Sequence, residues 1–162
     1  MKFTARLICL ITCIVLYVPA VNADSAEQKT VDAHDPSICS PDGIALGGHD
    51  AVAYHTENQA AMGSSDISVE HDGLTYLFTK VEHRDLFVED PVKYLPHFRG
   101  WCAIALARNR LTCPEYTNFK VEDGKLLLFE TLAFVNGRTV WDSDPIQNLI
   151  SAEANYSRFM QQ

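Results

Sequence analysis

Between Glu70 and Cys102 the chain gathers three imidazoles and a thiol: His71, His83, His97 and Cys102. Side chains of these types hold soft and borderline metal ions, and a cysteine with a histidine can also act as thiolate and base. Spacing gives no specific signature for either chemistry, because no H-x-x-x-H or C-x-x-C pair is present. The run also lacks a G-x-S-x-G elbow, a P-loop, an H-E-x-x-H helix and a dinucleotide fingerprint. Acidic pairs such as Glu89-Asp90, Glu122-Asp123 and Asp142 with Asp144 fall at caps and turns, where carboxylates have structural reasons to be. The expectation is a protein that is not an enzyme.

The state of the cysteines governs what Cys102 can do. Cys9 and Cys13 lie in an apolar N-terminal segment, which leaves Cys39, Cys102 and Cys113 in the body of the chain. In an oxidising compartment an odd count means one disulfide plus a free thiol, or an intermolecular bridge. Cys102 with Cys113 closes the shortest loop and is the first choice. Cys39 with Cys113 is nearly as plausible and leaves Cys102 free. A bridge at Cys102 would remove its thiolate from metal or nucleophile roles.

These residues must be positioned by short elements. Asp72-Gly73 is flanked by alternating apolar residues, Ile67 and Val69 before it and Leu74, Tyr76 and Phe78 after it, which predicts a hairpin. Asp123-Gly124, between Phe119 with Val121 and Leu126 with Leu128, predicts a second. Thr79 and Glu82 have capping-box spacing ahead of a helix carrying Val81, Leu86 and Phe87, and Asp90-Pro91 ends that helix or begins another turn. Ala51 to Tyr54 reads as a short apolar strand, while Ala103 to Ala107 is either a buried strand or a helical turn. Asp144 caps a closing helix with Pro145 at its first position and Ile146, Leu149, Ile150, Ala154 and Phe159 inward. The sum is a small single α+β domain, two β-hairpins packed with two or three helices, and no internal repeat is visible. Trp101 and Tyr94, with Phe98 and Tyr116, surround Cys102 with aromatic surface suited to a binding patch or to core.

The motif residues His71, Gly73, Tyr76 and Phe78, then Phe87, Asp90-Pro91, Tyr94 and Gly100-Trp101-Cys102-Ala103, resemble the YHS domain. The stretch from Gly48 to His55, GHDAVAYH, and the tail from Trp141 to Tyr156 are similar to the longer, exported form of that family. The resemblance spans roughly residues 43 to 159 and implies heavy-metal handling, notably of copper. Where the shorter form carries a cysteine pair at the hairpin-to-helix junction, this chain has Thr79 and His83. His71, His83, Cys102 and His97 are then the candidate ligands, with His49 and His55 next, and imidazole with one thiolate suits copper or zinc. A protein- or small-ligand-binding module without metal, using Trp101 and Tyr94, is the alternative.

The ends and the charge narrow the setting. Lys2 and Arg6, the apolar run Leu7 to Val18 and Val21-Asn22-Ala23 read as a signal peptide over residues 1–23. Residues 24–42 then form a polar, flexible leader, and the YHS-like domain occupies 43–160. The expected protein is exported, and periplasmic if its source has an outer membrane. The 162-residue chain carries 13 Lys plus Arg against 21 Asp plus Glu, a net charge of -8. Losing Lys2 and Arg6 leaves 11 against 21, or -10. So acidic a surface argues against nucleic acid, and against adhesion to membrane once the signal is removed. The expected partner is a metal ion or another protein.

Overall fold

The computed structural model describes residues 38–161; the expected signal peptide and most of the expected leader lie outside the described residues. Asp72-Gly73 and Asp123-Gly124 close two-residue turns with φ values of 49° and 75°, and 50° and 75°. Left-handed angles at both turn positions match the twist of paired strands, so each dipeptide folds a hairpin, as the sequence predicts. In chain order the elements are α1 (Ala51–Thr56), β1 (Ser64–His71), β2 (Leu74–Phe78), α2 (Val81–Glu89), α3 (Pro91–Tyr94) and α4 (Ala103–Ala107). They continue with β3 (Glu115–Glu122), β4 (Lys125–Phe129), β5 (Thr131–Leu132), β6 (Val135–Asn136), α5 (Gly137–Asp142) and α6 (Pro145–Phe159). The class is α+β: six helices and three two-stranded antiparallel sheets, β1 with β2, β3 with β4 and β5 with β6, among the described residues.

The two main hairpins are copies of one build, which corrects the expectation of no repeat. In the first, Ser64 pairs with Phe78 and Ser68 with Leu77 across a bulge; in the second, Glu115 pairs with Phe129 and Phe119 with Leu128 across an identical one. Each hairpin is preceded by a left-handed turn, with φ of 54°, 56° and 85° at Leu46-Gly47-Gly48 and 55°, 51° and 88° at Phe98-Arg99-Gly100. Ile44 bridges in parallel to Thr75, and Pro96 bridges in parallel to Leu126. Asp50 then caps α1 as Cys102 precedes α4. Few identities betray the correspondence: Gly48 and Gly100, Ala51 and Ala103, Ala53 and Ala105, and the two Asp-Gly turns.

Burial shows how the halves join. Leu126 and Leu128 pack into one core cluster with Leu74, Tyr76, Phe78 and Phe87, while Leu127 and Phe129 pack into another with Ile104, Leu106 and Trp141. Strand β4 is therefore the shared wall of both cores, apolar on its two faces, which explains its unbroken Leu-Leu-Leu-Phe run.

Three local expectations change, and one open alternative is resolved. Ala51–Tyr54 is helical because the Asp50 carboxylate accepts from the amides of Val52 (2.9 Å) and Ala53 (3.2 Å), a cap worth about 1 kcal/mol. Ala103–Ala107 is the helical alternative. Thr79 makes no capping box: its amide and hydroxyl both donate to Asp50 Oδ2, at 2.8 and 2.7 Å, and α2 begins after Lys80 with no side-chain cap. In α6, Ile146 and Ile150 face solvent and Ala154 is exposed, while Ala152 and Asn155 are buried and the Asn155 amide donates to Leu106 O at 2.7 Å. That hydrogen bond and the close approach of Ala152 to α4 set the helix rotation, which hydrophobicity alone misreads.

The packed domain begins before Gly43. Ile38, Cys39 and Ser40 are buried, and Cys39 is bridged to Cys113 with Cα atoms 5.6 Å apart. The nearer pair, Cys102 with Cys113, is not formed; Cys102 is a free, fully buried thiol. Its sulfur accepts the Glu130 amide at 3.2 Å, in the place where Asp50 accepts the Thr79 amide in the first half.

Candidate functional site

The residues with metal-ligating side chains are each engaged separately. His71 stands edge-on to Phe87 and Tyr76, with Nε2 3.8 Å from Asp72. His83 lies one helical turn before Phe87 but turns inward, with Nδ1 2.7 Å from Asp50 Oδ2 and Nε2 3.4 Å from Glu57 Oε1. His97 packs on Phe98, and its Nε2 is 3.6 Å from Glu153, an ion-pair distance too long for a hydrogen bond. Cys102 sits in the second core, where burial pushes its thiol up while the amides of Ala105, Glu130 and Ile104 pull the other way. The expected meeting of His71, His83 and Cys102 does not occur, and among the described residues no group of three or more His, Cys, Asp or Glu is arranged to hold a metal ion. Tyr94 is core, ringed by His55 and by the Lys93 ammonium, and Trp101 is half-buried against the second cluster.

Asp50 is the most heavily used polar group that the sequence reading passed over. It is fully buried, and one oxygen caps α1 while the other takes Thr79 and His83. Burial alone would raise its carboxyl, but the hydrogen bonds from Thr79, His83 and Ala53 win and hold it below the ordinary carboxylate range. Every lone pair is spent on structure, so Asp50 ties α1, β2 and α2 together and has no capacity left for substrate.

A different arrangement forms where the two left-handed turns meet. Ile38, Ala45, Leu46, Leu74, Leu95 and Pro96 line an apolar recess at the join of the halves, with Ser40, Tyr76, Asp72 and Arg99 as its polar members. A water's centre can move through about 40 Å³ of it, within a depression of about 400 Å³ counted out into solvent. The Cys39–Cys113 bridge fixes one wall, with Cys39 N donating to Arg99 O at 3.3 Å and Tyr116 Oη donating to Cys39 O at 3.3 Å.

Arg99 is the exceptional residue here. It holds φ of 51° where its counterpart in the first half is Gly47 at 56°. An L side chain in this region costs about 1 kcal/mol or more, a cost glycine avoids. The residue before it, Phe98 or Leu46, bears the same strain but is buried, and burial offsets it. Arg99 is exposed, and its guanidinium makes no hydrogen bond or ion pair among the described residues; it acts electrostatically on the Tyr76 phenol, favouring its ionised form. It also borders an open groove of about 450 Å³ between the α3 end and α6, beside His97, Glu153 and Tyr156. The sequence signal that would have marked it is the repeat: an arginine at the glycine position of a duplicated turn.

Comparison with known protein families, curated proteins and solved structures finds no match in any of the three.

Proposed function

We propose that this protein is an exported, non-catalytic binding module that holds a small ligand, or a side-chain-sized part of a partner, at the join of its two halves. The occupant this geometry suits has an anionic head for Arg99 and a short apolar body for the recess. The observation that carries this reading is an arginine that has no ion pair among the described residues and is kept in a strained, glycine-favouring conformation at the mouth of an apolar cavity. Strain retained at such a place is characteristic of ligand clamps, and guanidinium is the side chain best suited to carboxylate or phosphate. The inner recess, about 40 Å³, admits a few waters or a short alkyl group, so the rest of the contact occurs at the mouth. The disulfide is what an oxidising, exported setting favours. No helix among the described residues is long and apolar enough to cross a membrane.

Among the described residues the nearest approach to a metal site is the pair His83 Nε2 and Glu57, with Asp50 holding the other ring nitrogen of His83 as a carboxylate behind a ligating imidazole does. Two ligands are too few for tight binding, and the Lys80 ammonium already lies 2.6 Å from the same Glu57 oxygen. Calorimetry with short-chain carboxylates, acetate to hexanoate, and in parallel with Cu(II) and Zn(II), separates the readings. The proposed site predicts carboxylate binding that Arg99→Gly weakens at least about tenfold, the worth of one charge-assisted hydrogen bond. Stoichiometric metal uptake abolished by His83→Ala, with no carboxylate binding, would transfer the function to metal.

A further inference from the structure

The recess at the join of the halves carries more polar chemistry than one cation. Ser40 and Tyr76 both line it, at 8% and 4% exposure, and neither hydroxyl has a hydrogen-bond partner among the described residues. Buried hydroxyls without partners are uncommon, and two of them lining one recess mark a place suited to a polar group from outside the chain. Asp72 lines the same recess from the turn of the first hairpin. Its one ion-pair neighbour among the described residues is His71, at 3.8 Å too far for a hydrogen bond, so its carboxylate is available.

Arg99 and Asp72 thus border one small depression with opposite charges, yet they form no ion pair with each other. Both act on the Tyr76 phenol, Arg99 favouring its ionised form and Asp72 opposing it, so the hydroxyl lies in the field of each. A ligand with only an anionic head would satisfy Arg99 and leave Asp72 as a like charge at its side, in a protein whose net charge is already -8. A ligand with both charges on one carbon satisfies the two together, and the hydroxyls can donate to its carboxylate and accept from its ammonium. Resting on the anionic-ligand site proposed above, we infer that the occupant is a free α-amino acid with a short apolar side chain: carboxylate on Arg99, ammonium on Asp72 and alkyl group in the inner recess. The C-terminus of a peptide lacks the ammonium and its N-terminus lacks the carboxylate, so neither meets the pair.

Calorimetry near neutral pH with ligands of one carbon skeleton tests this: pentanoate, L-norvaline, N-acetyl-L-norvaline and L-norvalinamide. Each is titrated to about 10 mM, so that dissociation constants into the millimolar range are read. L-Norvaline should bind at least about tenfold tighter than the other three, the worth of one further charge-assisted hydrogen bond. Asp72→Asn should erase that advantage and leave pentanoate binding intact or improved. Position 72 holds φ of 49° before Gly73, and Asn-Gly is a preferred dipeptide for such a turn, so the variant keeps the fold, which circular dichroism checks. Pentanoate binding that Arg99→Gly weakens, with L-norvaline no tighter than pentanoate or N-acetyl-L-norvaline, overturns the amino-acid assignment and leaves the anionic-ligand site standing. L-Norvalinamide as tight as L-norvaline, or an L-norvaline advantage that survives Asp72→Asn, overturns the assignment as well. Binding of none of the four overturns both.

Discussion

At the residue scale the fold turns on Asp50, a buried carboxylate with five donors around it. Asp50→Asn replaces an acceptor by an amide that must point its NH₂ at existing donors, and should cost about 3 kcal/mol in urea unfolding. The Asp50 carboxyl is held below its ordinary value, so its contribution is complete above about pH 4 and is lost as pH falls through the folded value. Acid unfolding below pH 4 should therefore flatten in Asp50→Asn. Arg99→Gly should raise stability by about 1 kcal/mol while weakening ligand capture, a divergence that marks strain kept for binding. Sequence reading found His83 and Cys102 as notable side chains but not their neighbours. The partner of His83 lies 33 residues away, and the donor to Cys102 lies 28 away. No local pattern encodes such contacts.

At the element scale, turn chemistry was the legible part. Asp-Gly twice, Pro at the start of α3 and Asp144-Pro145 at the start of α6 each state their conformation in two residues. The short helices α1 and α4 were ambiguous because four buried apolar residues show no period; the Asp50 cap marks α1, but α4 has no side-chain cap to mark it. The β5 and β6 hairpin was not anticipated, since Ala-Phe is the wrong dipeptide for its turn. Replacing Ala133-Phe134 by Asn-Gly should therefore stabilise the fold by about 1–2 kcal/mol, read from the midpoint of chemical unfolding.

For the molecule as a whole, the Cys39–Cys113 bridge ties the start of the first half to the second across 74 residues. In the loop-entropy account a closure of that length is worth about 4 kcal/mol, so Cys39→Ala with Cys113→Ala should lower the melting temperature sharply. His55 and His97 are both depressed, first by burial and then by Lys93 and Lys125 respectively. The unfolded chain binds their protons more readily, so stability should be full above about pH 6.5 and decline as pH falls below it. Thermal melts of His55→Gln and His97→Gln between pH 7 and 5 should show a shallower decline. The α+β class was readable from turns, caps and apolar spacing; the duplication was not, because the two halves match in backbone angles and strand register while differing at most side chains.

The buried thiol has a kinetic side. As the chain lengthens from its N-terminus, Cys39 meets Cys102 eleven residues before its proper partner Cys113 exists. Correct oxidation then depends on α4 packing against α6, which is made after all three of these cysteines, before an oxidant reaches the thiols. A mispaired Cys39–Cys102 species is the natural trap, escaped only by thiol exchange, which takes seconds to hours. Cys102→Ser should abolish that trap, giving faster and more complete oxidative refolding even if the finished protein is slightly less stable.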